Sequence, residues 1–244
     1  MSQSSVSIFV KGIRKAFGAT MALDGITMAF SSGTMHGVIG PEGTGKTTLM
    51  RIVLGLLKPT AGTIEFNRDG ERVDFEAVRP GVAYMPQSQS LYPDLSVGEH
   101  LDFFSALYGL PDNIYRKRRE DLLRITRLGE FIDRPAGQLS GGMYKKLGLM
   151  CALLRSPNVM LLDEPTTGVD PISRREFWEL IYGLLDQGIL VIITTAYMDE
   201  AERCGNVHLM ENGKVVAEGE PRKLLEWEGV RSFDELFLKR SRHE

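Results

Sequence analysis

The sequence has few cysteines, no long apolar run and no strong excess of charge of one sign. Its two cysteines, Cys151 and Cys204, are too few for a disulfide framework, and their apolar surroundings predict buried thiols in a reducing compartment. Apolar runs such as 147–154 and 189–195 fall well short of the roughly 20 residues that span a bilayer. The polar N-terminus lacks a signal-peptide pattern. We therefore expect a cytoplasmic protein whose membrane role, if it has one, comes through another polypeptide or a missing segment.

The charge distribution gives no sign of nucleic-acid binding. The net charge over 244 residues is only −3. The basic run at residues 116–119 is followed on the same predicted helix by Glu120 and Asp121, which favours a solvated helix face. With 43% hydrophobic and 25% charged residues, the composition is that of an ordinary globular protein of one large or two small domains.

Short apolar runs, several of them separated by helical stretches, predict an α/β fold. The alternation favours a largely parallel sheet with helices on both faces. The predicted strands are residues 7–10, 27–31, 35–39, 82–85, 159–162, 189–194 and 207–210.

Residues 92–137 interrupt this alternation. Ser96 and Glu99 have the spacing of a capping box, and they open an amphipathic helix that extends to Tyr108. A charged helix follows at about residues 113–128. We interpret the segment as a helical subdomain inserted into the sheet domain.

Other local signals divide the rest of the chain. Ser173 and Glu176 form a second capping-box pattern, which predicts a helix from there to about residue 185. The Asn212–Gly213 pair predicts a tight hairpin. Short helices at 222–226 and 233–239 form a predicted tail, roughly 221–244, of a single domain spanning 1–244.

Residues 40–47 match the phosphate-binding pattern G-x-x-x-x-G-K-[ST] between a predicted strand and a predicted helix. Glycines let backbone amides converge on phosphates, and the helix N-terminus points at the same anion. Lys46 would supply a cation for the β- and γ-phosphates, and Thr47 a hydroxyl for Mg²⁺. The pattern predicts ATP binding with Mg²⁺. The predicted nucleotide-binding residues are Gly40, Pro41, Glu42, Gly43, Thr44, Gly45, Lys46, Thr47 and Thr48.

Two further positions fit phosphoryl-transfer chemistry. Asp163 and Glu164 end a buried apolar strand, where one carboxylate can orient Mg²⁺ and its neighbour can polarise the attacking water. A helix-capping acidic pair before Pro165 is the alternative. Gln87 opens the insertion, where an amide can ligate Mg²⁺ or water, although a loop glutamine is as often simply solvated.

A glycine-rich helix start lies far along the chain from the phosphate loop. It consists of Leu139, Ser140, Gly141, Gly142 and Met143. This stretch resembles the signature motif of the ATP-binding cassette (ABC) family. The phosphate loop and residues 161–165 resemble other motifs of the same family. The resemblance covers about residues 8–238. It implies a P-loop nucleotide triphosphatase fold with a mostly parallel central sheet, an antiparallel N-terminal β region and an inserted helical subdomain.

The resemblance also implies roles for individual residues. Asp163 would hold Mg²⁺ with Thr47 and Gln87, and Glu164 would act as the general base. Phe17 would stack on adenine, with a core aromatic as the alternative.

The remaining implied roles concern a dimer of two cassettes. The signature residues complete the ATP site of the opposing subunit, and Asp170 lies in the loop that communicates across the dimer. Ala196 departs from the family pattern, because it stands where a histidine usually touches the terminal phosphate.

The strings at 91–97, 108–111, 171–176 and 197–202, with Met143, resemble the branch that exports drugs and other small molecules. This likeness predicts an ATPase on the inner face of the cell membrane that powers a transmembrane permease subunit. It would act as a homodimer or with a second cassette. One alternative is a cassette ATPase without a transport role, as in those that act on ribosomes or in DNA repair. Another is a catalytically weakened cassette, suggested by Ala196, that forms half of a two-cassette protein.

Overall fold

The computed structural model describes residues 4–88 and 90–241, in which two β-sheets are flanked by helices. The strands are β1 (Val6–Phe17), β2 (Thr20–Ser31), β3 (Met35–Ile39), β4 (Ala61–Arg68), β5 (Glu71–Val73), β6 (Val82–Met85), β7 (Val159–Asp163), β8 (Leu190–Thr195), β9 (Asn206–Glu211) and β10 (Lys214–Gly219). An antiparallel sheet has the order β2-β1-β4-β5, and the six-stranded sheet has the order β10-β9-β3-β8-β7-β6. The six-stranded sheet is parallel except for the β9–β10 hairpin, as predicted.

Helices lie in several of the connections between the strands and after the last strand. They are α1 (Lys46–Val53), α2 (Phe75–Val78), α3 (Val97–Tyr108), α4 (Asp112–Thr126), α5 (Gly141–Leu153), α6 (Pro171–Leu185), α7 (Pro221–Glu228) and α8 (Phe233–Ser241). Of the helices in the described part of the chain, none combines the length and apolar character that a membrane span needs.

The six-stranded sheet separates two hydrophobic cores. Met160 and Leu162 of β7 face a core that contains residues of α3, α4, α5 and α6. Val159 and Leu161 alternate with them and face a core shared with α1 and the antiparallel sheet. The prediction of helices on both faces is therefore confirmed, and the antiparallel sheet shares the second face with α1.

The helical segment leaves and re-enters the sheet at neighbouring strands. β6 and β7 pair in parallel, with Val82 opposite Val159, although the whole helical segment of residues 92–137 lies between them in the sequence. The predicted capping box is confirmed: the Ser96 amide donates to Glu99 Oε2 (2.8 Å), and the Glu99 amide donates to Ser96 Oγ (3.2 Å). α5 also packs against α3 and α4, because Leu147 lies in the same core as their apolar residues.

The second predicted capping box is wrong. α6 begins at Pro171, and its N-cap is Asp170, whose Oδ1 accepts from the amides of Ile172 (3.1 Å) and Ser173 (3.0 Å). Proline suits the first helical position, so the helix starts earlier than Ser173. Glu176 instead forms an ion pair with Lys146 of α5.

The N-terminal strands are longer than predicted, and β4 and β5 were not predicted. β1 continues past Val10 to Phe17 through shifts in its pairing with β2. These irregularities disrupt the two-residue alternation that identifies strands in a sequence. The predicted hairpin at Asn212–Gly213 is confirmed, with both residues at positive φ. Both cysteines are free and buried, as predicted.

Candidate active site

The phosphate-binding loop lies between β3 and α1 and fits only with glycine at two close approaches. A Cβ on Gly40 would lie 2.3 Å from the carbonyl oxygen of Met210. Gly45, at φ 97°, has the carbonyl oxygen of Ala22 only 2.5 Å from where its Cβ would stand. Gly45 is the N-cap of α1 and provides no capping side chain. The first amides of α1 therefore lack a side-chain acceptor at its N-cap, the arrangement that binds phosphate.

Lys46 is a buried cation beside this loop. Its Nζ donates to the carbonyl oxygens of Gly40 (2.7 Å) and Pro41 (2.8 Å). The same atom lies 3.2 Å from Glu164 Oε1. These contacts fix the ammonium group between the phosphate loop and the end of β7.

Asp163 is fully buried at the end of β7, and three hydroxyl groups bind its carboxylate. Thr47 (3.1 Å) and Thr194 (2.6 Å) donate to Oδ1, and Tyr84 (3.1 Å) donates to Oδ2. Burial, followed by the negative charge of Asp163, raises the pKa of Tyr84, so its hydroxyl remains a proton donor. The carboxylate is thus fixed next to the Thr47 hydroxyl.

Glu164 has the backbone conformation that turns its side chain towards Lys46. Its φ is 47°, a region that costs a non-glycine residue roughly 1–2 kcal/mol. The amide of Glu164 is held by the carbonyl (3.0 Å) and hydroxyl (3.0 Å) oxygens of Thr194. Gln87 Nε2 (3.1 Å) and Thr167 Oγ1 (3.2 Å) donate to Glu164 Oε2.

Lys46, Gln87 and Glu164 border a cavity of about 340 Å³, within the range of small-molecule sites. Its lining residues are Ala22, Glu42, Gly43, Gly45, Lys46, Thr47, Thr48, Gln87 and Glu164. Most of the predicted phosphate-loop residues, together with Gln87 and Glu164, therefore meet at one opening. Ala22, which lines it from β2, was not predicted.

The Thr47 hydroxyl and the Asp163 carboxylate suit Mg²⁺, which binds oxygen ligands and keeps several waters. Across residues 4–88 and 90–241, no group of three or more His, Cys, Asp or Glu side chains could hold a metal by itself. Such a sparse donor set fits an ion that substrate phosphates also hold.

Several predicted residues lie outside the cavity lining, namely Gly40, Pro41, Thr44, Asp163, Phe17 and Ala196. Phe17 is 51% exposed at the end of β1, paired with Thr20, and the Lys15 ammonium lies 5.1 Å from its ring centre. It belongs to the hairpin whose return strand contributes Ala22 to the cavity. Ala196 follows β8 directly and is half-buried.

The signature residues also lie away from the cavity lining, beside the Asp170 loop. Ser140 caps α5 by accepting from the amide of Met143 (3.3 Å), and Ser140 and Gly141 are exposed. A Cβ on Gly142 would lie 2.3 Å from Ser173 Cβ in the first turn of α6. The signature and the start of α6 therefore form one surface.

Sequence reasoning missed Tyr84, Thr194, Thr167 and Lys145. The parallel pairing of Asp163 with Thr194 could have pointed to Thr194, if the strand order had been known. Lys145 Nζ donates to the carbonyl oxygen of Gln87 (3.3 Å), which links α5 to the cavity. Burial lowers the pKa of Lys145, while Asp163 and Glu164 oppose that shift.

Comparison with known proteins agrees with this geometry. Residues 23–167, more than half of the chain, match the family model described as "ABC transporter". A probable multidrug ABC transporter ATP-binding protein of Escherichia coli is 41% identical over 239 residues. That alignment covers 97% of this chain but only 41% of the relative, so the chain spans about two fifths of that protein.

A second relative and two solved structures are also similar to this chain. The Nod factor export ATP-binding protein I of Ralstonia nicotianae is 39% identical over 91% of this chain and 70% of its own length. A structure titled as an ATP-binding subunit of an ABC transporter superposes with a TM-score of 0.82 at 30% identity, covering 95% of this chain and 98% of its own. The cbiO1 protein of Clostridium perfringens gives 0.79 at 30% identity, covering 90% of each chain.

Proposed function

Since the chain belongs to the ABC transporter family, we propose that it binds and hydrolyses ATP to power the export of a small molecule through a membrane partner. The observation that carries the proposal is the meeting of Lys46, Thr47 and Glu164 at one glycine-bounded cavity, with the buried Asp163 hydrogen-bonded to Thr47 behind it. Cation, hydroxyl and two carboxylates are the groups that phosphoryl transfer to water needs.

In this proposal the phosphate loop and Lys46 bind the triphosphate. The amides at the start of α1 bind phosphate oxygens, and Lys46 neutralises charge on the β- and γ-phosphates. Thr47 and Asp163 hold Mg²⁺, which when bound neutralises charge on the phosphates. Phe17, exposed on its hairpin, is available to stack on adenine.

Glu164 is the proposed general base. Water attacks the γ-phosphorus, the bond from γ-phosphorus to the β–γ bridging oxygen breaks, and the water proton passes to the Glu164 carboxylate. ADP and inorganic phosphate leave. The hydrogen bonds from Gln87 and Thr167 hold Glu164 Oε2 in a fixed direction for this step.

Hydrolysis is proposed to be slow, because Ala196 has a methyl group where a hydrogen-bond donor would contact the γ-phosphate. Loss of one preorganised contact of this kind costs on the order of a hundredfold in rate. Binding depends on Lys46 and the loop, so it should be retained.

A second cassette is proposed to complete the site. The exposed Ser140 and Gly141 lie outside the cavity lining, at the N-terminus of the thirteen-residue helix α5. A facing subunit can present its ATP phosphates there, with Asp170 beside the contact. The pairing is a homodimer or a dimer with a different cassette.

The membrane partner is proposed to dock on α3 and the segment before it. Tyr92, Phe103 and Leu107 are exposed there, and the rings of Tyr92 and Phe103 lie 5.4 Å apart. An exposed apolar surface of this kind suits a protein contact. The chain would then lie on the cytoplasmic face of the membrane through its partner.

A second candidate is one weakened cassette of a two-cassette protein. Ala196 is the observation that favours it.

Phosphate release by the purified chain with Mg²⁺ and ATP tests the proposal. A turnover that vanishes without Mg²⁺ is expected, and co-expression with candidate multi-span membrane subunits should yield a stable complex with one of them. Absence of nucleotide binding would refute the proposal that the chain is an ATPase. Stimulation of turnover only when a second cassette is added would favour the second candidate.

A further inference from the structure

The segments that follow β7 and β8 meet at one buried side chain, Glu200. Its exposed fraction is 0%. Glu200 Oε1 accepts hydrogen bonds from Thr166 Oγ1 (2.7 Å), Arg174 Nε (2.7 Å) and Trp178 Nε1 (3.2 Å). One oxygen atom therefore binds three donors.

The donors come from both sides of the Asp170 loop. Thr166 lies two residues after Glu164, while Arg174 and Trp178 belong to α6, which Asp170 caps. Glu200 itself lies four residues after Ala196, in the short 3₁₀ helix Met198–Arg203. It thus connects the loop that follows β7 to the loop that follows β8.

Arg174 extends the connection along the Ala196 loop. Its guanidinium binds both carboxylate oxygens of Asp199 (2.9 and 2.8 Å) and lies 4.7 Å from the centre of the Tyr197 ring. Burial alone would lower the pKa of Arg174, but its hydrogen bonds to Asp199 and its interaction with Glu200 raise the pKa overall. Three of the four residues after Ala196 contact this one side chain.

The contacts of Glu200 fix the relative positions of the chain segments more than they stabilise the folded state. Glu200 Oε2 is buried with no hydrogen-bond partner among the described residues. An apolar group of similar volume generally fills such a place at lower free-energy cost than a buried ion pair. A buried carboxylate with three donors does, however, fix the relative placement of the chain segments that carry them.

We infer that Glu200, together with Arg174, is a positioning pair for hydrolysis that holds the Ala196 loop in place against the Glu164 and Asp170 loops. The inference rests on the proposed function, because hydrolysis is the step that it serves. Ala196 has no polar side chain of its own to bind the γ-phosphate, so the pair would act on hydrolysis through the placement of the Glu164 and Asp170 loops. ATP affinity should depend little on the pair, because neither residue lines the cavity or binds Lys46.

Conservative variants of the full chain test the kinetic role. Arg174→Lys keeps the charge but cannot bind Glu200 and Asp199 together, and Glu200→Gln keeps the shape. We expect each to lower kcat by about tenfold while the Kd for a fluorescent ATP analogue changes by less than about twofold. Arg174→Ala should lower kcat further, so that lysine gives partial rescue.

Arg175→Lys is the matched control. Arg175 is the next residue of α6, is 80% exposed and pairs only with the exposed Glu179 among the described residues, so kcat should not change. If Glu200→Gln does not fold, Arg174→Lys and Trp178→Phe still decide the question. A kcat that stays within about twofold of wild type in all three would overturn the inference. The inference would also be overturned if the fall in kcat came with a fall of the same factor in ATP affinity and with a lower melting temperature.

Hydrogen–deuterium exchange tests the link between the loop after β7 and the loop after β8 without any measurement of ATP turnover. Arg174→Ala should raise exchange in both residues 164–170 and 196–203, and Arg175→Ala in neither. A rise in only one segment, or in neither, would contradict the link. If the wild-type chain hydrolysed no ATP, the proposed function would fail while the exchange experiment still reported on Glu200 and Arg174.

Discussion

Lys46 and Glu164 form a buried ion pair, with 3.2 Å between Nζ and Oε1 and side-chain exposures of 4% and 5%. The cation of the phosphate loop and the candidate base are therefore in direct contact. A substitution at either position changes the charge balance of the same cavity, but the two changes should have different consequences.

Lys46→Ala should remove most ATP affinity and nearly all hydrolysis, because the loop loses its fixed cation. It should also destabilise the fold by about 3 kcal/mol, since Glu164 is left buried without its charged partner. A fluorescent ATP analogue and urea unfolding measure the two effects. Lys11→Ala, which removes an exposed lysine of the antiparallel sheet, is the control. Wild-type affinity and turnover in Lys46→Ala would show that the phosphate site is elsewhere.

Glu164→Gln should keep ATP binding and slow hydrolysis by about a hundredfold or more, because the amide has the same shape but accepts no proton from water. With Mg²⁺ and ATP the variant should accumulate as a dimer in light scattering. Glu179→Gln, on the exposed face of α6, is the control. A monomer that hydrolyses ATP at the wild-type rate would rule out Glu164 as the base.

Ala196→His should raise kcat by about tenfold to a hundredfold with little change in ATP affinity. The imidazole adds a hydrogen bond to the γ-phosphate that a methyl group cannot make. Ala196→Phe, which adds a ring without a nitrogen atom, should give no gain. Steady-state phosphate release decides between them. Brisk turnover by the wild-type chain, unchanged by histidine, would mean that another residue performs this role.

Stability should fall between pH 6.5 and about pH 4, because two buried histidines resist protonation. Burial lowers the pKa of His36 and of His208 from 6.5 to about 4, and their rings stack 5.8 Å apart. Above pH 6.5 both folded and unfolded chains hold neutral rings, so the pair adds no pH dependence there. Below it the unfolded chain takes up protons first, which lowers the free energy of unfolding by up to ~3 kcal/mol per histidine.

Urea unfolding at about pH 7 and about pH 4.5 measures this loss. His36→Gln keeps a side-chain acceptor for the Ser31 amide but does not titrate, so the difference between the two pH values should shrink. An equal difference in wild type and variant would contradict the assignment.

Gly142→Ala should destabilise the chain by roughly 1–3 kcal/mol, because the new Cβ would lie 2.3 Å from Ser173 Cβ. Gly183→Ala, with nothing within 4 Å of its Cβ position, should be neutral or stabilising. Thermal unfolding compares them. Ser173→Gly should restore stability to Gly142→Ala; a failure of that rescue would place the strain elsewhere.

The sequence by itself determined the features that depend on nearby residues. The capping box of Ser96 and Glu99 and the Asn212–Gly213 hairpin are set by hydrogen bonds and dihedral angles over a few positions. The order strand, glycine loop, Lys46, helix likewise specifies a phosphate site before any tertiary contact is known.

Local patterns also gave the wrong answer where two caps competed. Ser173 and Glu176 fit a capping box, but Asp170 followed by proline starts α6 earlier. In the folded chain Ser173 and Glu176 make tertiary contacts in place of the predicted cap: Ser173 lies against Gly142, and Glu176 pairs with Lys146.

Only the tertiary structure decided what surrounds the two carboxylates. Tyr84 and Thr194 reach Asp163 because β6, β7 and β8 are neighbours in the parallel sheet, although 79 and 31 residues separate them from it in the chain. Strand order is a property of the whole packed sheet, and the two-residue alternation within each strand is the same for many orders. The hydroxyls that hold Asp163, and the donors that bind Glu200 behind Ala196, are therefore fixed by the assembled fold and not by any local pattern.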